Sequence, residues 1–298
     1  MSKTLDVLKK VYKPLRVTLK KNTTILETTE GKFLVKEKKG NDLAKTFAYL
    51  KSRNFDNFPK LIDDNRDELN VFEYIDDVNM PKEQKGIDMV DIISSLHTKS
   101  TYFKPVSEDQ HKKIYENINN NILYLKEYYN NIFKMIEEEI YMSPSHYLLI
   151  RNSSKISASL DFAKSQLDEW YELVKFKNKE RVALIHNNLS IDHYIRNDKG
   201  YLISWEKSKI DTPVLDLVTF YKNDYFNLDF ESILERYLKK NPLSEEEKKL
   251  FFILISIIDE VKLDKDEFYS CQSVRKSLDY LFISEQLVRP YYTVEKKE

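Results

Sequence analysis

The chain has 298 residues, 41% hydrophobic and 33% charged, a make-up that suits a globular protein with a sizeable core and excludes a disordered one. Acids and bases nearly cancel to a net charge of -1, so no global field draws it to nucleic acid or to an anionic membrane. Cys271 is the only cysteine, which excludes intrachain disulfides and thiol-rich metal sites; the four glycines (Gly31, Gly40, Gly86, Gly200) lie too far apart to build a glycine-rich phosphate loop.

The opening MSKTLDVLKKVYKPL has no long apolar core, and no later run approaches the roughly 20 apolar residues that span a bilayer. Cytosolic residence is the expectation. Leu5 to Tyr12 has the pattern of a short helix ended by Pro14. Leu15 to Leu19, Thr23 to Thr28 and Lys32 to Lys36 are short, rich in Val, Ile, Thr and Phe, and separated by KKN and EG, the pattern of an antiparallel meander with Glu30-Gly31 in its tight turn. The third strand ends in Lys36, which shares a face with Leu34 and is therefore half buried, unless this is an exposed edge lysine.

Asn41 to Arg53 carries Leu43, Phe47 and Leu50 at helical spacing behind a cap at Asn41 or Asp42. Phe58 to Ile62 and Asn70 to Ile75, joined by the polar turn DDNRDE, add two strands and complete a small α+β lobe. IDDVNMPKEQKG, with Pro81 and Gly86, reads as a connector.

Helices follow. Ile87 to His97 is amphipathic, and Glu108 to Tyr141 carries a core stripe of Tyr115, Ile118, Ile122, Leu125, Tyr129, Ile132 and Ile136. The acidic triplet Glu137-Glu138-Glu139 reads as a solvated helical face. Ser143 to Ser145 interrupts the pattern before a helix from Ser157 to Val174 that contains Trp170. The segment 182–221 then changes character: an apolar run, Val182 to Ile185, delivers His186 into a polar loop. Two short strand-like pieces flank the turn Asn197-Asp198-Lys199-Gly200, and a helix begins near Pro213. Phe230 to Lys239, Ser244 to Leu263 and Ser270 to Val288 complete the helices, with Ser244 and Glu247 forming a capping box; the tail YTVEKKE is expected to fray.

Four features occur in a fixed order: a lysine on the third strand, a connector after VFEYID, a helix ending in SLH (VDIISSLHTKS), and the loop LIHNNLSIDHYI followed by LISWEKSKIDTPVLDL. In this order the chain resembles the aminoglycoside phosphotransferase and choline kinase superfamily, whose loop has the form H-G-D-x-x-x-x-N and whose metal-binding segment has the form I-D-[WF]-E followed by D-P-x-x-D-L. The resemblance covers nearly the whole chain. It implies a bilobal α+β fold of protein-kinase type, with a β-rich N-terminal lobe over residues 1–76 and a helical C-terminal lobe over 77–298. Within it, IDTPVLDLVTFYKN is most similar to the branch containing CotS-type spore-coat kinase-like proteins.

Carried over residue by residue, the resemblance implies a nucleotide cleft at Lys36, Glu73, Tyr74 and Ile75, a supporting role for His186, and replacements at three working positions. Asn188 stands where the family has its catalytic aspartate, and an amide orients a hydroxyl but cannot take its proton. His193 stands for the metal-binding asparagine and Ser204 for the principal metal-binding aspartate, exchanges that weaken a magnesium site. Glu206 is the best substitute ligand, since it shares a strand face with Ser204; Asp192 and Asp211 are the others. Asp216 reads as architectural at a helix start, and no acid in the helix after Lys36 is placed to pair with it.

The expectation is therefore a catalytically impaired kinase-fold protein acting by binding or assembly, the alternative being a divergent small-molecule kinase that phosphorylates a hydroxyl. ATP or GTP with magnesium is a cofactor only if activity is retained. Expected partners are a protein or a coat or scaffold assembly and a small-molecule ligand, without nucleic acid or a membrane span, in the cytoplasm or associated with the spore.

Overall fold

The computed structural model describes residues 11–20, 23–63, 69–264 and 266–292. They form two compact units, one built from the chain up to Thr101 together with Ala183–Asp211, the other from Tyr102–Val182 and the chain from Thr212 onward. Residues 77–101 thus group with the N-terminal sheet.

In the first unit β1 (Arg16–Lys20), β2 (Thr23–Thr28), β3 (Gly31–Glu37), β4 (Leu61–Asp63) and β5 (Leu69–Glu73) make an antiparallel sheet in the order β1-β2-β3-β5-β4. Period-two alternation turns Leu26, Val35, Leu69 and Val71 into one buried cluster, against which Tyr12, Val17 and Phe33 pack. The fourth strand is shorter than Phe58 to Ile62, because Pro59 lacks an N–H and Phe58 is drawn into an aromatic cluster; Glu73 still donates its N–H to the Lys60 carbonyl at 3.0 Å. The expected helix from Leu5 and most of the turn DDNRDE lie outside the described residues.

Between β3 and β4 runs α1 (Leu43–Ser52), capped by the Asp42 carboxylate, which accepts the Lys45 N–H at 3.2 Å. The connector is only Ile75 to Pro81, because α2 (Lys82–Ser100) starts early: Pro81 sits at its N-cap, and Gly86, expected to break the chain, is a buried position inside the helix. The same unit holds the second half of β7 (Lys179–Ile185), paired with β10 (Lys209–Asp211), and the hairpin of β8 (Tyr194–Arg196) and β9 (Gly200–Leu202).

The second unit is helical apart from β6 (Tyr102–Pro105), which pairs with the first half of β7. Its helices are α3 (Glu108–Glu137), α4 (Pro144–Arg151), α5 (Ser153–Val174), α6 (Val214–Asp224), α7 (Phe230–Lys240), α8 (Glu245–Ser256) and α9 (Glu267–Tyr292). The stripe on α3 is buried at Ile122, Leu125, Tyr129 and Ile136, with His111 and Phe133 buried as well, whereas Tyr115, Ile118 and Ile132 are only partly covered. The helix stops at Glu137, short of Tyr141, and α8 stops at Ser256, short of Leu263, where Ile257 takes an extended conformation (φ -79°, ψ 114°). Arg181 closes the region after α7: it grips both Glu247 carboxylate oxygens at 2.8 and 2.7 Å and donates to Asn241 and Pro242. Asp216 is buried in the first turn of α6. Among the described residues no helix is long and apolar enough to cross a membrane.

Candidate ligand cavity

Within the first unit a cavity of about 600 Å³ opens beside the sheet. Its lining comes from three places: Lys36 on β3, the segment Glu73-Tyr74-Ile75 with Asp77 and Met80 from the connector, and Asp192, Ser204, Trp205 and Glu206 from the loops around the β8–β9 hairpin. Such a volume lies in the range that holds a nucleotide-sized ligand.

Trp205 explains why the last of these point inward. Its indole ring meets Phe47, Phe55 and Phe58 edge-on at 6.1–6.2 Å and His186 at 4.7 Å, while its N–H donates to the Leu202 carbonyl at 2.7 Å. With the tryptophan anchored, Trp205–Lys207 forms a single 3-10 turn entered through Ser204 in the left-handed region (φ 67°). The turn, not the alternation of a strand, therefore sets the direction of Ser204 and Glu206.

Both residues meet Lys36. Its ammonium donates to the Ser204 hydroxyl at 3.2 Å and to the Glu206 carboxylate at 3.1 Å, with the lysine side chain 19% and the glutamate side chain 23% exposed. Lys36 is thus half buried and paired, and its acid comes from 170 positions away instead of from α1, which has no acid at all. The loop before α1 holds this turn from outside: Asn41 donates its N–H to the Glu206 carbonyl at 3.3 Å, and Gly40 lies so close that a Cβ there would stand 2.2 Å from the same oxygen.

The remaining loop residues face elsewhere. His186 is fully buried and donates its Nε2–H to the Ile203 carbonyl at 2.9 Å, fastening the loop to the hairpin. His193 turns its Nδ1–H to the Asn188 carbonyl at 2.6 Å. The Asn188 amide donates to the Ser204 carbonyl at 3.4 Å, and its oxygen accepts from the Lys207 ammonium at 3.4 Å. Asp211 pairs with Lys209 at 2.7 Å. Lys36, Glu73, Tyr74, Ile75, Ser204, Glu206 and Asp192 thus line one cavity, whereas Asn188, His186 and His193 brace the loop behind it.

Two further features were not read from the sequence. Asp77 pairs with Lys85 at 2.7 Å on the cavity wall. Tyr194 also lines the cavity, and its burial holds the phenol above its ordinary pKa, so it stays a neutral hydroxyl. Glu73, in contrast, has its carboxylate committed to the Lys60 N–H at 2.8 Å. A polar connector and one tyrosine in a chain with 20 of them carry no local signal for a cavity wall.

No protein-family model and no curated protein matches the chain. Solved structures do. An aminoglycoside phosphotransferase from Alicyclobacillus acidocaldarius aligns with a TM-score of 0.67 over 93% of this chain and 92% of its own, at 8% identity. The AMP-bound spectinomycin phosphotransferase aligns at 0.58 over 99% of both chains with 12% identity. The chain has the kinase-like α+β fold of these phosphotransferases. Choline kinase from Cryptosporidium parvum shares this kinase-like fold at a TM-score of 0.50, with 13% identity and 97% of both chains covered.

The kinase-like fold implies a magnesium nucleotide, and the two parts of that group fare differently. The cavity with Lys36 suits a nucleotide. The donor set does not suit magnesium, which takes hard oxygen ligands: Ser204 offers a hydroxyl, the His193 imidazole turns to the Asn188 carbonyl, and the Glu206 carboxylate beside Ser204 is held by an ammonium. Among the described residues no group of three or more His, Cys, Asp and Glu side chains is placed to hold a metal ion.

Proposed function

We propose that this is a kinase-fold protein that binds a nucleotide-type small molecule without running ordinary phosphoryl transfer, and that works by binding or assembly. The Lys36–Glu206 ion pair carries the reading: it neutralises with a fixed lysine the carboxylate best placed to replace the missing metal ligand. Asn188 supports it, because the amide oxygen is engaged by Lys207 and has no basic form near neutral pH. The similarity of IDTPVLDLVTFYKN to the CotS-type branch supports a binding partner in a coat-like assembly and an association with the spore.

Calorimetry with ATP and GTP, in EDTA and in magnesium, tests the proposal together with a phosphotransfer assay over amino alcohols, sugars and aminoglycosides. The expected result is nucleotide affinity that magnesium does not change and that Lys36→Ala removes, with no product. Stoichiometric, Asn188-dependent phosphate transfer would overturn it. One observation favours the second reading, a divergent small-molecule kinase: Asp192 and Glu206 line the same cavity. That reading requires magnesium-dependent binding that Glu206→Gln abolishes.

A further inference from the structure

Another cavity of the first unit, about 540 Å³, lies between the loop after β3 and the start of α1, lined by Lys38, Lys39, Gly40, Asp42, Lys45 and Asn70. Strand alternation puts Asn70 there. Its neighbours Leu69 and Val71 turn into the buried cluster of the sheet, so Asn70 faces the other way, into the cavity. The residue is only 5% exposed, yet no hydrogen bond among the described residues uses its side-chain amide. Buried amides are almost always paired, because a donor and an acceptor taken from water without replacement cost free energy. For packing alone an apolar side chain would serve better at this position.

The rest of the lining is cationic. Three lysines face one acid, and Asp42 is already engaged: its carboxylate accepts the Lys45 N–H at 3.2 Å and pairs with the Lys45 ammonium at 3.0 Å. Lys39 pairs at 3.0 Å with Glu37, which is not part of the lining, but the lysine is 64% exposed and such pairs are weak. The ten-residue helix α1 adds its positive end through Leu43 and Ala44, which also line the cavity.

An anion suits the lysines and the helix end, but many anions would satisfy only half of Asn70. Its amide presents N–H donors and a carbonyl acceptor together. Sulfate offers acceptors alone, whereas hydrogen phosphate offers oxygens to the N–H and an O–H to the carbonyl. We propose that this cavity binds inorganic hydrogen phosphate, with the Asn70 amide donating one hydrogen bond and accepting another, and Lys38 and Lys39 supplying the charge. The site shares only the buried Leu43 with the Lys36 cavity and does not depend on the nucleotide reading.

Calorimetry of the whole chain with sodium phosphate, at constant ionic strength, tests the proposal against sodium sulfate and glycerol 3-phosphate. The buffer is held at about pH 8, where a phosphate monoester has lost its last proton (pKa about 6) and donates nothing. Phosphate binds, and the other two bind at least ~10-fold more weakly for want of the O–H. Asn70→Leu weakens phosphate binding by at least ~10-fold, while its melting curve without phosphate is unchanged or raised. Lys38→Gln with Lys39→Gln, both exposed, weakens binding and flattens its salt dependence. Lys36→Ala has far less effect than Asn70→Leu. The proposal is overturned if phosphate does not bind, if sulfate or the ester binds as tightly, if Asn70→Leu binds phosphate as the parent does, or if Lys36→Ala is the variant that removes binding. Should Asn70→Leu melt lower than the parent, the lysine double variant decides, and its unchanged affinity overturns the proposal.

Discussion

Gly40→Ala tests how the Glu206 turn is held. Gly40 has φ +72°, which costs an alanine about 1–2 kcal/mol. Its new Cβ would stand 2.2 Å from the Glu206 carbonyl oxygen, and backbone on both sides of that contact has to separate. Displacements of this kind cost about 1–3 kcal/mol, and the Asn41 N–H to Glu206 hydrogen bond lost with them about 0.5–1.5 kcal/mol. The expected destabilisation is about 3–6 kcal/mol, a large share of the roughly 5–15 kcal/mol that holds a protein folded. Urea unfolding in a Trp170→Phe background reads it, since Trp205 in the first unit is then the only tryptophan. Gly40→Asn separates the causes: asparagine tolerates positive φ but carries the same Cβ. If Gly40→Asn were as stable as the parent, the close-approach argument would be refuted, because strain alone would account for the alanine result.

Three other outcomes follow from the structure. Glu206→Gln removes a negative charge facing Lys36, so metal-free ATP binding should tighten several-fold, an effect calorimetry in EDTA measures; weaker binding would mean that the carboxylate serves to order the lysine. His111 is buried against Trp170, with Glu180 and Lys177 as neighbouring charges, and burial lowers its pKa. The unfolded chain therefore takes up the proton first, so the neutral imidazole's contribution is complete above about pH 6.5 and is lost as pH falls below it, at no more than about 1.4 kcal/mol per pH unit. His111→Leu should flatten the difference in urea stability between neutral and mildly acidic buffer, and an unchanged difference would assign it to other groups. Glu247→Gln leaves Arg181, only 17% exposed, without its bidentate partner, and should cost about 3 kcal/mol in urea unfolding, against under ~0.5 kcal/mol for a surface pair such as Lys112–Glu116.

Most of the fold was legible because its signals are local. Alternation in β1 to β3 and helical spacing over Glu108 to Tyr141 are properties of neighbouring residues, and each marked the right element with ends off by a few positions. The misplaced ends have tertiary causes. Gly86 stays helical because its position is buried, and α8 stops early where the chain turns extended at Ile257.

The candidate site divides along the same line. The sequence alone determined which chemical groups are available: an amide at 188, an imidazole at 193, a hydroxyl at 204, and an ammonium on β3. Their arrangement was decided only in three dimensions. The Lys36–Glu206 pair joins residues 170 positions apart, and it forms because a tryptophan packed against three phenylalanines sets the direction of a 3-10 turn. Local pattern reports what a side chain is and which face of its own strand or helix it occupies; which distant charge it meets depends on packing between elements.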